Sequence, residues 1–147
     1  AEPDGIPVLM ATTNTMRNVV LPKLATMADV TLAGIADNPG TALKLLVQDH
    51  PEVVILDMDF GGPLVGLDTG KMMQTTRSRA GIIMLVPDLD VDEMRKYARR
   101  FGASWSYLKK TTAGRVDILH MVLKSASRGV QWVEPDLSRQ LSVVETF

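Results

Sequence analysis

The sequence has no cysteine, no excess of basic residues and no long apolar run. Without cysteine the chain has no disulfide, thiolate metal ligand or cysteine nucleophile. Sixteen basic and seventeen acidic residues give a net charge of −1, whereas nucleic-acid-binding domains typically carry a basic excess. No apolar run approaches the roughly 18 residues that a membrane-spanning helix needs. The N-terminal residues are polar and unlike a signal peptide, so we expect a soluble, cytoplasmic protein.

Short apolar runs alternate with amphipathic stretches along most of the chain. Most of the runs are nearly continuous and rich in β-branched residues, which is typical of strands buried on both faces of a parallel sheet. The runs lie at residues 8–11, 30–35, 53–56, 82–86 and, more weakly, 104–108. Five strands alternating with helices predict an α/β, flavodoxin-like, doubly wound parallel sheet with helices on both faces.

Helical spacing of apolar residues fills the intervals between the runs. It predicts helices starting near Asn14 as N-cap, over 39–49, over about 67–79, after the capping pair Asp90 and Glu93, and over 116–126. A chain of 147 residues suits a single domain. We place this domain at 1–130 and interpret 131–147 as a C-terminal tail or linker helix starting near Pro135. Its apolar positions, which would pack on a partner or lead to a further domain, are Leu137, Leu141 and Val144.

In open α/β sheets the functional crevice lies at the carboxyl ends of the strands. Asp57 and Asp59 follow the third run, and Lys109 and Lys110 follow the fifth. A carboxylate at the end of a buried strand, with a lysine at the end of another, favours phosphoryl acceptance because an aspartate can form an acyl phosphate. The spacing alone also allows a simpler interpretation, in which Asp57 and Asp59 are solvated turn residues.

Four segments resemble response-regulator receiver domains. Residues 53–59, Val-Val-Ile-Leu-Asp-Met-Asp, are similar to the strand that ends on the family's phospho-accepting aspartate. Residues 102–110, Gly-Ala-Ser-Trp-Ser-Tyr-Leu-Lys-Lys, resemble the closing motif, whose strand ends on the pocket lysine, and residues 6–11 resemble the first strand. Residues 129–137 are similar to receivers that precede a LuxR-type output domain. The resemblance covers roughly residues 6–137 and implies the receiver fold.

The resemblance implies that Asp57 accepts the phosphoryl group and that Lys109 pairs with its oxygens. The family also has two acidic residues after the first strand, which help to hold Mg²⁺. This chain has Thr12 and Thr13 there, and neutral hydroxyls do not replace the charge that Mg²⁺ requires. Asp59 offers one carboxylate where the family uses a backbone carbonyl. We therefore expect no bound cofactor, with Mg²⁺ as the one doubtful candidate, and no metal site.

Two registers of the closing motif remain open. Counting back from Lys109 puts Pro87 where the family has a Ser or Thr that contacts the phosphoryl group, and it puts Ser106 at the position of the family's switch aromatic residue. Aligning on Lys110 puts Tyr107 at that aromatic position instead. In neither register does the fourth strand end on a hydroxyl.

Charged and aromatic residues near the fourth helix and fifth strand form a candidate protein interface. Similar receivers pair through this region, and aromatic area is typical of interface cores. The candidates are Arg95, Arg99, Arg100, Trp105, Tyr107 and Asp117. A solvated helix face is the alternative interpretation of the arginine cluster.

The sequence as a whole predicts an atypical receiver that acts in signal transduction and transcription control through contacts with a protein partner or a second copy, without enzymatic activity or membrane binding. Contact with DNA would occur only through an output domain outside this sequence. Two alternatives stay open: a working phospho-receiver that uses Asp57, and a flavodoxin-like domain that binds a small ligand.

Overall fold

The computed structural model describes residues 5–145, and the side chains of residues 5–141. It contains five parallel strands in the order β2-β1-β3-β4-β5. The strands are β1 (Ile6–Ala11), β2 (Val30–Ala36), β3 (Val53–Asp57), β4 (Gly81–Val86) and β5 (Ser106–Lys109). The helices are α1 (Asn14–Leu24), α2 (Pro39–Asp49), α3 (Val65–Gln74), α4 (Val91–Tyr97), α5 (Val116–Ser127) and α6 (Pro135–Glu145). A 3-10 turn, Ala98–Arg100, extends α4. The predicted five-stranded parallel α/β fold is confirmed.

Two apolar layers cover the two faces of the sheet. Helices α2, α3 and α4 pack on one face, where Leu56, Met84 and Trp105 point. Helices α1 and α5 pack on the other, where Ile55 and Leu85 point. Successive strand residues alternate between the faces, and both faces are covered, which explains why the central strands are apolar at almost every position.

Side-chain caps fix where α1 and α4 begin. Asp90 and Glu93 form the predicted capping box at the start of α4. The N-cap of α1 is Thr13, one residue before the predicted Asn14. The Thr13 side chain accepts a hydrogen bond from the Met16 N–H. Pro22 lies inside α1, which nevertheless continues to Leu24. Helix α3 covers Val65–Gln74, displaced toward the N-terminus from the predicted 67–79.

The C-terminal tail packs on the domain. Val133 forms a parallel bridge to Tyr107 of β5, and α6 lies against α4. Leu137 is buried in the layer that contains α4, and Leu141 packs against it; the side chain of Val144 is outside the described ones. Within residues 5–145, every helix is too short or too polar to cross a membrane.

Candidate functional site

Asp57 ends β3 with a fully buried carboxylate, and four donors satisfy it. Thr13 donates both its backbone N–H (3.2 Å) and its hydroxyl (2.8 Å) to Oδ2. The N–H of Asp59 donates to Oδ1 at 2.9 Å, and Lys110 Nζ lies 2.8 Å from the same oxygen. A buried carboxylate needs such partners, because an unpaired buried charge is very costly. Both oxygens of Asp57 are therefore engaged by the protein itself.

Thr13 has two roles at this position. Its hydroxyl oxygen caps α1 by accepting the Met16 N–H at 3.3 Å, and its hydroxyl proton goes to Asp57. One side chain therefore joins the first turn of α1 to the end of β3. The family resemblance marks Thr13 only as a missing acid, but its place just before a helix is the signal that indicates an N-cap.

Lys110 links the two aspartates that follow β3. Its ammonium group lies 2.8 Å from Oδ1 of Asp57 and 2.8 Å from Oδ2 of Asp59. Burial favours the neutral amine, but hydrogen bonds and charges from Asp57 and Asp59 outweigh burial, so the pKa of Lys110 is raised above 10.5. The pocket therefore contains a charged lysine between two carboxylates.

Lys109, one of the two candidates for the pocket lysine, does not reach Asp57. Its ammonium group lies 2.8 Å from Asp136 on α6, because adjacent residues at the end of a strand point in opposite directions. The hydrogen bond to Asp136 raises the pKa of Lys109. Lys110 is the lysine that faces the pocket, so the register that places Tyr107 at the aromatic position is the one that the structure contains.

Tyr107 and Trp105 are core residues, and the prediction that they supply interface area is wrong. They are 3% and 1% exposed. The hydroxyl of Tyr107 donates to the carbonyl of Gly102, and burial raises the pKa of Tyr107. Trp105 directly precedes β5 and Tyr107 lies in it, and both side chains belong to the layer that contains α3 and α4. Sequence alone does not reveal this, because an aromatic strand residue suits a core and an interface equally.

The other predicted pocket positions supply no hydroxyl to Asp57. Thr12 follows β1 but is buried, and its Oγ1 finds no hydrogen-bond partner among the described residues. Val86, the last residue of β4, is a buried apolar residue whose carbonyl accepts the Lys110 N–H at 2.9 Å. Pro87 comes next and has no polar side-chain atom. The fourth strand therefore ends without a group that could bond a phosphoryl oxygen.

A compact turn follows Asp57, and its polar groups form hydrogen bonds with one another. The carbonyl of Asp59 accepts the Gly62 N–H at 3.0 Å, and the Asp59 carboxylate accepts the Leu64 N–H at 3.2 Å. Gly66 must be glycine, because a Cβ there would lie 2.0 Å from the carbonyl oxygen of Asp57. The turn thus uses the Asp59 carbonyl, the atom that the resemblance assigns to the metal.

These residues do not fit Mg²⁺, the ion that the family implies. Among the side chains of residues 5–141, no three His, Cys, Asp or Glu converge to hold a metal. Mg²⁺ takes an octahedral set of oxygens and is usually bound through carboxylates, phosphate oxygens and waters. Asp57 and Asp59 already bind Lys110, whose positive charge lies where a cation would have to approach.

A polar cleft of about 380 Å³ opens beside the pocket. Arg17 lies in it and is paired with Asp37 at 3.2 Å. Its lining residues are Thr12, Thr13, Asn14, Arg17, Asp37, Phe60 and Gly61. The cleft thus contains one charge of each sign, and these charges pair with each other.

The predicted arginine residues do not share one environment. Arg100 turns toward α3, where its guanidinium lies 3.1 Å from Asp68, and Arg99 is exposed. Arg95 is an exposed residue of α4 whose guanidinium is 4.0 Å from Asp92. Asp117 pairs locally with Arg115 at 3.3 Å. The six predicted interface residues therefore do not form one continuous surface.

No family model matches the sequence, and no curated protein matches it. Solved structures do. A two-component response regulator of the LuxR family from Aurantimonas sp. SI85-9A1 has a TM-score of 0.77 at 16% identity, covering 97% of this chain and 99% of that one. The receiver domain of RcsB from Salmonella enterica serovar Typhimurium has a TM-score of 0.73 at 16% identity, covering 94% and 99%.

The fold is that of a response-regulator receiver domain. The receiver domain of the putative response regulator NarL from Mycobacterium tuberculosis agrees, with a TM-score of 0.65 at 18% identity over 83% of this chain and 98% of that one. Identities this low show the fold alone, because one scaffold supports many functions. The function has to be argued from the pocket.

Proposed function

We propose that this chain is an atypical receiver that transmits signals through protein contacts without phosphorylation of Asp57. The observation that carries the proposal is the occupancy of the Asp57 carboxylate: four donors bind its two oxygens, and two of them come from Thr13. Thr13 is one of the two positions at which the family has the acids that hold its metal.

Phosphoryl transfer to an aspartate requires an oxygen that attacks in line and a metal that neutralises the phosphoryl charge. Here Oδ2 accepts two hydrogen bonds from Thr13, so an attack by this oxygen would first have to break them. Hydrogen bonds to a charged acceptor contribute about 1.5–3 kcal/mol each. Lys110 alone supplies positive charge at the other oxygen.

A working phospho-receiver is the second candidate, and the Lys110–Asp57 pair favours it. The resemblance implies that a pocket lysine of this kind binds phosphoryl oxygens, and the lysine is present in the correct register. In this alternative the Thr13 hydroxyl would rotate away from Asp57 and a metal would bind through Asp59. The experiment below separates the two candidates.

The resemblance to LuxR-type regulators extends the proposal to transcription control. The chain would act through a protein partner or a second copy, and any contact with DNA would be made by an output domain beyond residues 131–147. The division into a receiver at 1–130 and a linking tail stays a prediction.

The test restores the missing acids. The variant Thr12→Asp/Thr13→Asp adds two carboxylates at the end of β1, which lies beside the end of β3, and we expect Mg²⁺ binding by calorimetry together with acquired phosphorylation by a small acyl phosphate. The matched control is Thr12→Asn/Thr13→Asn, which has nearly the same shape and a good N-cap residue but no added charge. The parent and the control should bind no Mg²⁺ and stay unmodified.

Two outcomes would contradict the proposal. Mg²⁺ binding by the parent with an affinity similar to that of the acidic variant would show that the threonines are not what excludes the metal. Equal phosphorylation of the parent and the acidic variant would favour the phospho-receiver. Thermal unfolding with and without Mg²⁺ verifies that each variant is folded.

A further inference from the structure

The outer edge of β5 is covered by the tail of the same chain. β5 is the last strand of the sheet, and an uncovered edge strand exposes unpaired backbone groups. The N–H of Tyr107 donates to the carbonyl of Trp132, and its carbonyl accepts the Glu134 N–H, both at 3.0 Å. The tail therefore pairs with the edge of β5 through one isolated parallel bridge, at Val133.

Side chains on both sides of this contact complement one another. The Glu134 carboxylate accepts the Lys109 N–H and the Thr112 hydroxyl, both at 3.0 Å. Lys109 Nζ pairs with Asp136 at 2.8 Å, and Leu137 is only 2% exposed. The β5 edge thus binds a segment with a defined pattern: a backbone bridge, two carboxylates and one apolar anchor.

Helix α6 continues the contact along α4. Gln140 donates to the carbonyl of Leu89 at 3.1 Å, and Leu141 packs on the layer beneath α4. Residues 131–141, which we call the tail segment, therefore cover α4 and β5. This is the region through which the sequence predicts pairing with a second copy. This surface becomes open to another molecule only when the tail segment leaves it.

The turn at Gly129, which ends α5, sets the direction in which the tail segment leaves the helix. After α5 the N–H of Gly129 donates to the Ala126 carbonyl (3.1 Å) and the N–H of Val130 to the Ser125 carbonyl (2.9 Å), which is the Schellman pattern. Gly129 has a φ of +76°, a conformation that favours glycine. A Cβ on Gly129 would meet no atom within 4 Å, so a substitution there changes the backbone preference without a clash.

We propose that the β5 edge and the adjoining α4 groove form an interaction surface for the tail segment of a second copy, with Gly129 as the hinge of the exchange. The exchanged tail makes the same hydrogen bonds, ion pair and apolar contact, because the second copy has the same sequence. Exchange of an identical element is an inexpensive route to a dimer, and short hinge loops favour it. The contacts that the surface makes with its own tail segment therefore indicate that the tail segment of a second copy fits it as well.

The experiment compares Gly129→Val with Gly129→Asn in the full chain. A β-branched residue disfavours positive φ, whereas Asn tolerates it. The valine variant should straighten the hinge and lower the dimer dissociation constant by roughly 30- to 1,000-fold, since both hinges of the dimer are relieved. Sedimentation equilibrium measures the constant, and the asparagine variant should behave like the parent.

Hydrogen exchange at the Tyr107 and Glu134 amides reports whether the β5 edge stays covered when the dimer forms. In an exchanged dimer both amides stay protected, because each β5 edge is still covered. A dimer in which they lose protection, a monomer in which they lose protection, or a valine variant that matches the parent in both measurements would each overturn the proposal. These readouts do not depend on phosphorylation, so the proposed function can fail without affecting them.

Discussion

The Asp57 pocket and the tail contact use neighbouring lysines in different ways. Lys110 and Lys109 each hold a carboxylate at 2.8 Å. The Asp57 side chain is fully buried, whereas the Asp136 side chain is 52% exposed. Equal distances therefore hide unequal energies, because water screens the exposed pair and leaves the buried carboxylate dependent on its partners. We therefore expect the buried Lys110–Asp57 pair to contribute more to the stability of the fold than the exposed Lys109–Asp136 pair.

Replacing each lysine by methionine gives the largest expected difference between the two regions. Lys110→Met leaves the buried Asp57 without its cation, and the free energy of unfolding should fall by about 2–4 kcal/mol, since removal of one partner of a buried pair is strongly destabilising. Lys109→Met should have a much smaller effect, because Asp136 is half exposed to water and keeps its ion pair with Arg139. Urea unfolding followed by circular dichroism measures both. Equal losses would refute the comparison.

The two threonines after β1 allow a second comparison within the pocket. Thr13→Val removes a hydrogen bond to the Asp57 carboxylate and the N-cap of α1, so we expect a loss of about 2–3 kcal/mol in unfolding free energy. Thr12→Val should be neutral or slightly stabilising, because the buried hydroxyl that it removes has no partner among the described residues. A loss of similar size at Thr12 would show that its hydroxyl has an essential partner.

The Asp57 pocket should weaken at high pH and the tail contact at low pH. We expect these changes in stability to be smaller than those caused by the substitutions above. The raised pKa of Lys110 means that its ion pair contributes fully below pH 10.5 and is lost as the pH rises through the folded-state value. The hydrogen bond from Lys109 lowers the pKa of Asp136 below 3.8, so the tail contact persists above that pH and weakens as the pH falls through the lowered value.

Nuclear magnetic resonance separates the two pH effects. The amide signals of Thr13 and Asp59 should shift in the alkaline range, as Lys110 loses its proton, and those of Lys109 and Glu134 should shift in the acid range, as Asp136 gains one. Lys110→Met should abolish the alkaline step and leave the acid step in place. A single transition that moves all four signals together would contradict the account.

The strands and the order of the elements could be predicted from sequence because buried parallel strands are almost continuously apolar, as in residues 53–56 and 82–86. The choice between Lys109 and Lys110 could not, since a shift of one residue reverses the direction of every side chain. The contact of Thr13 with Asp57 joins residues 44 positions apart. Only the packing of β1 beside β3 brings them together.

Intact mass spectrometry after incubation with acetyl phosphate, with and without Mg²⁺, tests the central claim most directly. The account predicts that the parent gains no phosphoryl group under either condition, because Thr13 and Lys110 occupy both oxygens of Asp57. A Mg²⁺-dependent phosphoryl adduct that disappears in Asp57→Asn would contradict it and would show that the pocket opens and accepts phosphate.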